Sequence, residues 1–345
     1  LVQGIQSQDV AACVKHFALN NQECDRLSVD TKVDDKTLFE LYLPAFYDAL
    51  MEGGSYSVMG AYNKYDGEFC CENATLLKKI LRDLWHYDGV TISDWGGVHN
   101  TEKTALNGVD MEMSVTPDFD DYKLANPLLE KVKSGKIDES VIDKRIERIL
   151  TMMERIKLGD KTRNKGCTNT KDHQQTIQQI AEEGIVLLKN DTAHLPLSKE
   201  TKKILVLGDN AKRTHAAGGG SAEIKALYDI SPLLGMRMVL GGDAQIDWLP
   251  GYYVDNEKHV AGEVDWQAES LDVDYTTDRG KEQFDKEIRP IREKYLKEAL
   301  DACPSYDEVI FIGGLNHAYD VEGFDRPDMT LPYGQNEVIE ALTEK

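Results

Sequence analysis

The sequence predicts an α/β protein of about two domains, the first with parallel strands in the manner of a (β/α)8 barrel. Three observations carry this. The 345 residues exceed one ordinary domain. Short apolar runs alternate with amphipathic stretches through the first half, as when strand and helix take turns. Polar and acidic residues gather just after the apolar runs, where the active face of an α/β barrel lies.

Val10-Ala11-Ala12-Cys13-Val14 reads as a buried strand running into Lys15 and His16. Leu38, Tyr42, Phe46 and Ala49 recur at three- and four-residue intervals, which predicts a helix over 35–51 that Gly53 and Gly54 end. Residues 57–62 form the next strand. A second helix follows over 73–86, with Leu76, Leu77, Ile80, Leu81 and Leu84 on its apolar face. Val90-Thr91-Ile92 is a third strand, ending at Ser93-Asp94-Trp95, and residues 109–113 are a fourth. Four such units are visible against the eight of a full barrel, so the chain is expected to lack the beginning of its barrel.

Helical spacing returns over 137–158. Residues 159–172 are polar, hold Gly159 and Gly166, and read as a linker. The expected domains are therefore 1–158 and 173–345. In the second, residues 173–183 and 288–302 read as helices, 203–208 and 309–314 as buried strands, and a helix starts near Asn336. Residues 255–300 are strongly charged and acquire no function from their pattern.

Acidic residues outnumber basic ones 61 to 40, a formal charge of −21. Such a surface repels phosphate backbones, and no Lys/Arg stripe offsets it, so nucleic acid is excluded as a partner. A neutral ligand needs no long-range attraction. No run of about 18 apolar residues is present, so a membrane-spanning helix is not expected. The six cysteines show no CxxC pair and no zinc-like spacing, and Cys70 and Cys71 are adjacent. They read as reduced thiols, which fits a cytoplasmic setting. The chain opens on Leu1 rather than Met, so secretion stays open.

Asp94 directly follows a buried strand, which places its carboxylate at a cleft beside the flat apolar face of Trp95. The alternative is a cap on the next turn. Lys15, His16 and Arg26 follow the first strand and can grip hydroxyls or favour a nearby carboxylate anion. A solvated basic turn is the alternative. Glu322 lies in a loop after the strand that ends at Gly314, a place where function often sits and where acidic surface is also common. Gly218-Gly219-Gly220-Ser221 lacks the Gly-Lys-[Ser/Thr] of a phosphate loop and reads instead as a loop closing near a ligand through Ser221. Asp272, Asp274 and Asp278 lack the Gly and Glu of a calcium loop, and no HExxH is present, so neither a metal nor a cofactor is expected.

Five stretches in this order resemble glycoside hydrolase family 3, its β-glucosidases in particular. They are Lys15-His16-Phe17-Ala18-Leu19-Asn20-Asn21-Gln22-Glu23, Ser57-Val58-Met59-Gly60-Ala61-Tyr62-Asn63, Thr91-Ile92-Ser93-Asp94-Trp95, Gly218-Gly219-Gly220-Ser221 and Glu322-Gly323-Phe324-Asp325-Arg326. The resemblance implies a barrel that supplies a nucleophile, here Asp94, and a following α/β sandwich whose loop supplies an acid/base, here Glu322. Asp320 is the reserve candidate for that second role. The same likeness implies Lys15, His16, Arg26, Met59, Tyr62, Trp95 and Ser221 around the sugar of the first subsite. Family members carry further barrel residues before the point where this chain begins, among them an Asp and an Arg that grip hydroxyls. Further segments, or a second chain, are expected to complete the barrel and the sandwich. A homo-oligomer is left open.

The implied activity is retaining hydrolysis of a small β-glucoside or short oligosaccharide, with carboxyl groups about 5–5.5 Å apart. Within the family, β-xylosidase and β-N-acetylglucosaminidase are the rivals. Trp95, together with Ala18-Leu19 after Phe17 where the latter relatives carry Pro-Gly, tilts the reading to glucose. A sugar-binding relative without catalysis is the alternative from another class.

Overall fold

The computed structural model describes residues 1–114, 116–163, 165–215, 220–255, 282–319, 322–326 and 328–344. The chain divides into two compact units, Leu1–Gln179 and Ile180–Lys345. The division falls inside a helix, Lys171–Gly184.

The first unit is built on a parallel sheet of β1 (Cys13–Phe17), β3 (Ser57–Gly60) and β6 (Val90–Ile92), in the order β1-β3-β6. Among the described residues this sheet is open. β1 starts three residues later than its apolar run suggests. The Ala12 carbonyl is taken by the Ser55 and Ser57 hydroxyls at 3.0 and 2.9 Å and by the Ser57 N–H, so the ladder begins at Cys13 opposite Ser57. The expected fourth strand is only a bridge between Ile92 and Met111. The Asp110 and Met111 N–H groups both turn onto Thr91 O, at 2.8 and 3.1 Å, and two donors on one acceptor break a regular ladder.

A small second sheet joins β2 (Asp30–Thr31), β4 (Lys64–Tyr65) and β5 (Glu68–Phe69). Its hairpin turns at Asp66 and Gly67, both at positive φ (52° and 85°), the Asp-Gly pairing favoured for two-residue loops.

Between β1 and β3 the chain is helical from Asp35 to Glu52, with π-type turns at Leu38–Tyr42 and Asp48–Glu52. Asp34 caps its start, accepting the Thr37 N–H at 2.9 Å. The helical stretch Ala74–Leu84 is capped by Asn73, which accepts the Leu76 N–H at 3.0 Å and donates to Tyr65 O at 2.7 Å. Leu38, Leu43 and Leu50 from the first, with Leu76, Leu77, Ile80 and Leu81 from the second, bury against Phe17 and Val58. Phe17 meets Phe46 edge to face at 5.1 Å. Helices Thr101–Asn107, Asn126–Lys133 and Ser140–Arg155 follow β6.

In the second unit the parallel strands β7 (Lys203–Leu207), β8 (Gln245–Leu249) and β9 (Glu308–Phe311) pack in the order β8-β7-β9. Ile204 and Val206 face helix Pro232–Leu240 through Leu233 and Met236. Leu205 and Leu207 face the opposite side, against Ala299 and Ala302 of helix Arg289–Ala302 and Leu342 of helix Gln335–Thr343. A central strand apolar on both faces is what a helix-covered parallel sheet requires. The apolar run Ile185-Val186-Leu187-Leu188 forms no strand and is exposed. Among the described residues no helix is long and apolar enough to cross a membrane.

Candidate active site

In the first unit, the residues singled out by sequence gather where β1, β3 and β6 end. β6 stops at Ile92, and the chain then turns: the Gly96 N–H reaches Met113 O at 2.9 Å and the Gly97 N–H reaches Asp94 O at 3.0 Å. Gly96 sits at φ 74°, a conformation that suits glycine. This turn leaves Asp94 almost buried, 5% exposed, while Trp95 beside it is 51% exposed. The Trp95 N–H donates to Asp94 Oδ1 at 2.8 Å, which fixes the carboxylate and turns Oδ2 elsewhere. His16 Nε2 lies 3.4 Å from that Oδ2.

Burial holds the His16 pKa below its ordinary value, and the charges of Lys15 and Arg26 push the same way. The Asp94 and Glu23 carboxylates oppose them and do not prevail. Arg26 is buried in the loop after β1. Its Nη1 donates to Glu23 Oε2 at 2.9 Å, and its guanidinium carbon stands 5.3 Å from the centre of the buried Tyr62 ring. Met59 is half-buried on β3, in register with Ile92. Lys15 is exposed. His16, Lys15, Arg26, Tyr62, Asp94 and Trp95 thus belong to one corner of this unit.

Sequence reasoning left out two acids here. Glu23 anchors Arg26, and its spacing of three residues was the available signal. Glu72 is buried and accepts the His99 and Asn100 N–H groups, so it secures the loop that follows Trp95. Nothing local in the sequence links it to a segment 27 residues away.

In the second unit, Glu322 and Ser221 meet, although 101 residues separate them. The contact is the Ser221 backbone N–H donating to Glu322 Oε2 at 2.6 Å, not a hydroxyl bond. Gly220 packs against the same side chain. A Cβ on it would stand 2.6 Å from Glu322 Cβ and 2.7 Å from Oε2, and its φ is +56°. Gly218, Gly219, Asp320 and the acidic trio Asp272, Asp274 and Asp278 lie outside the described residues. Beyond β7 a hollow of about 360 Å3 is lined by Asp209, Lys212, Arg213, Thr214, His215 and His317. In it the two imidazoles meet edge to face at 5.3 Å and Arg213 pairs with Asp209.

Chemically, the first unit offers a fixed, shielded carboxylate beside an imidazole, which in turn feels an ammonium and a guanidinium. The second offers a carboxylate held by a main-chain donor. Among the described residues no group of three or more His, Cys, Asp or Glu side chains is placed to hold a metal.

Comparison with known proteins gives these residues a setting. The family description "Glycosyl hydrolase family 3 N terminal domain" matches residues 1–152, and the "C-terminal domain" of the same family matches residues 185–345. A β-glucosidase of Bacteroides ovatus is 38% identical over 99% of this chain, and thermostable β-glucosidase B of Acetivibrio thermocellus is 34% identical over 99%. The chain spans 45% and 40% of those two relatives, less than half of their length. The solved structure of β-glucosidase 3B from Thermotoga neapolitana in complex with glucose aligns over 99% of this chain and 46% of its own, with 29% identity and a TM-score of 0.74. With both of its units matched by the two domains of one family, the chain belongs to glycosyl hydrolase family 3.

Proposed function

We propose that the protein carrying this chain is a retaining β-glucosidase, which releases terminal non-reducing β-D-glucose from small β-glucosides by double displacement. The observation that carries the reading is Asp94: a buried carboxylate at the end of a parallel strand, fixed by the Trp95 N–H and set against His16. The names of the similar proteins and the glucose in the Thermotoga structure support the choice of sugar.

In the first step Asp94 attacks the anomeric carbon while protonated Glu322 gives its proton to the departing oxygen, and the aglycone leaves as an alcohol. Water then gives a proton to Glu322 and attacks the same carbon, and the Asp94 carboxylate departs. Retaining chemistry of this kind requires a separation of about 5–5.5 Å between its two carboxyl groups. The Ser221 N–H engages Oε2 of Glu322 and holds the carboxyl in place. Lys15, His16, Arg26, Met59, Tyr62 and Trp95 hold the glucose ring, with Ser221 near it. Residues 1–158 are part of a (β/α)8 barrel, 159–172 a linker and 173–345 part of an α/β sandwich. The parallel β1-β3-β6 and β8-β7-β9 sheets, with their intervening helices, support this assignment.

The experiment is a trap with an activated 2-deoxy-2-fluoro-β-glucoside. Label found on Asp94 supports the reading. Binding without label or turnover supports a non-catalytic sugar-binding relative. Asp94→Ala is expected to remove nearly all turnover with the fold intact. Glu322→Ala is expected to slow alkyl glucosides by about 10²–10⁴-fold and to affect aryl glucosides with good leaving groups far less.

A further inference from the structure

Asp110 is a buried carboxylate that the proposed chemistry does not use, and it grips the strand that presents Asp94. Its side chain has no exposed surface. Oδ2 accepts the Thr91 N–H at 2.8 Å and Arg82 Nη2 at 3.0 Å. Oδ1 accepts Arg148 Nε and Nη2 at 2.9 and 2.6 Å. Arg82 closes the circle, giving Nη2 to Thr91 Oγ1 at 2.6 Å and Nη1 to the carbonyls of Tyr87 and Gly89 at 2.6 and 2.8 Å. One carboxylate therefore draws together β6, helix Ala74–Leu84 and helix Ser140–Arg155, at a point three residues before Asp94.

The main chain repeats the grip. The Asp110 and Met111 N–H groups meet Thr91 O, the Ser93 N–H meets Met111 O at 2.9 Å, and the Gly96 N–H meets Met113 O at 2.9 Å. Asp94 is bracketed by ties at 91, 93 and 96. Stability alone gives little reason for such a buried ionic cluster, since apolar side chains of similar volume often serve as well. An apolar side chain cannot accept the Thr91 N–H.

We propose that Asp110 is a positioning residue for Asp94: through Thr91 it sets the height and rotation of the strand end on which the nucleophile stands. This rests on the reading of Asp94 as nucleophile. In the intact protein, Asp110→Ala is expected to lower kcat on an aryl β-glucoside and the rate of Asp94 labelling by the 2-fluoro glucoside together. The expected fall is about 10- to 100-fold, the scale of a misplacement near 1 Å, with KM nearly unchanged. Arg148→Met removes one guanidinium from the same carboxylate and leaves the Thr91 tie in place. It is expected to lower the melting temperature while kcat and labelling stay near wild type. Should Asp110→Ala fail to accumulate folded, Asp110→Asn replaces it, because its single carbonyl oxygen cannot meet both donor sets. A folded Asp110 variant that labels at the wild-type rate overturns the proposal, as does an equal loss of labelling in Arg148→Met. Wild-type protein that takes no label on Asp94 removes the nucleophile reading first, and this inference with it.

Discussion

His16 Nε2 stands 3.4 Å from Asp94 Oδ2, although β3 runs between the strands that carry them. The contact is possible because both residues lie at the strand ends, where side chains lean across the sheet's C-terminal edge. It joins an imidazole whose pKa burial lowers to a carboxylate only 7% exposed at its side chain.

The first prediction concerns acid. The folded pKa of His16 lies below its ordinary 6.5, with burial the largest cause. Between those two values the unfolded chain binds more protons than the folded one, so stability rises with pH. His16 therefore contributes fully above about pH 6.5, and that contribution is lost as the pH falls towards the folded pKa. Denaturant unfolding of wild type and His16→Asn between about pH 7.5 and 5 checks this. The wild type is expected to lose ground against the variant on acidification, and the opposite slope would refute the assignment.

Much of this arrangement was readable in the chain, and the unread part has a physical pattern. Ile204-Leu205-Val206-Leu207 was visible because a strand between helix layers is apolar without interruption, and Val90-Thr91-Ile92 because three β-branched residues in a row favour a strand. The hairpin at Asp66-Gly67 carried its turn signal but only two paired residues on each side, too few to show alternation. Asp94 was legible because it directly follows a strand, His16 because it stands in a local motif at the end of β1, and Arg26 as a basic residue of the loop beyond that strand. Glu72 and Asp110 were not. Their partners are main-chain N–H groups and arginines distant in sequence, and a buried acid looks like a surface acid until the fold closes over it. Glu322 and Ser221 were chosen separately, but the backbone bond joining them depends on main-chain direction, which side-chain identity does not specify.

Arg145 yields a second prediction. It is buried, and its guanidinium donates to Val109 O at 2.8 Å, Val141 O at 2.6 Å, Thr104 O at 3.2 Å and also Ala105 O. It thereby ties helix Thr101–Asn107 and the segment after it to helix Ser140–Arg155. Burial lowers its pKa to about 10, and a delocalised guanidinium bears that burial better than an ammonium. Arg145→Lys supplies donors from one point and cannot reach carbonyls spread over this width. At about 1–3 kcal/mol for each buried carbonyl left unpaired, a loss of about 3 kcal/mol in unfolding free energy is expected. A measured loss below about 1 kcal/mol would mean that the carbonyls find other donors.

The third prediction tests Glu322 without touching it. Gly220 has no side chain where any would collide: a Cβ would meet Glu322 Cβ at 2.6 Å and Oε2 at 2.7 Å. Its φ of +56° adds about 1–2 kcal/mol of local strain for an L-residue. Gly220 is exposed, so the cost falls on the loop and not on a core. Gly220→Ala must therefore push the Glu322 carboxyl away from the Ser221 N–H. If Glu322 is the proton donor, displacement harms the substrates whose leaving groups need a proton and largely spares those that do not. The ratio of kcat on an alkyl glucoside to kcat on a dinitrophenyl glucoside is expected to fall, in the same direction as for Glu322→Ala and by less. An unchanged ratio in a folded Gly220→Ala variant would place the proton donor elsewhere, since the side chain would have moved and the proton transfer would not have noticed.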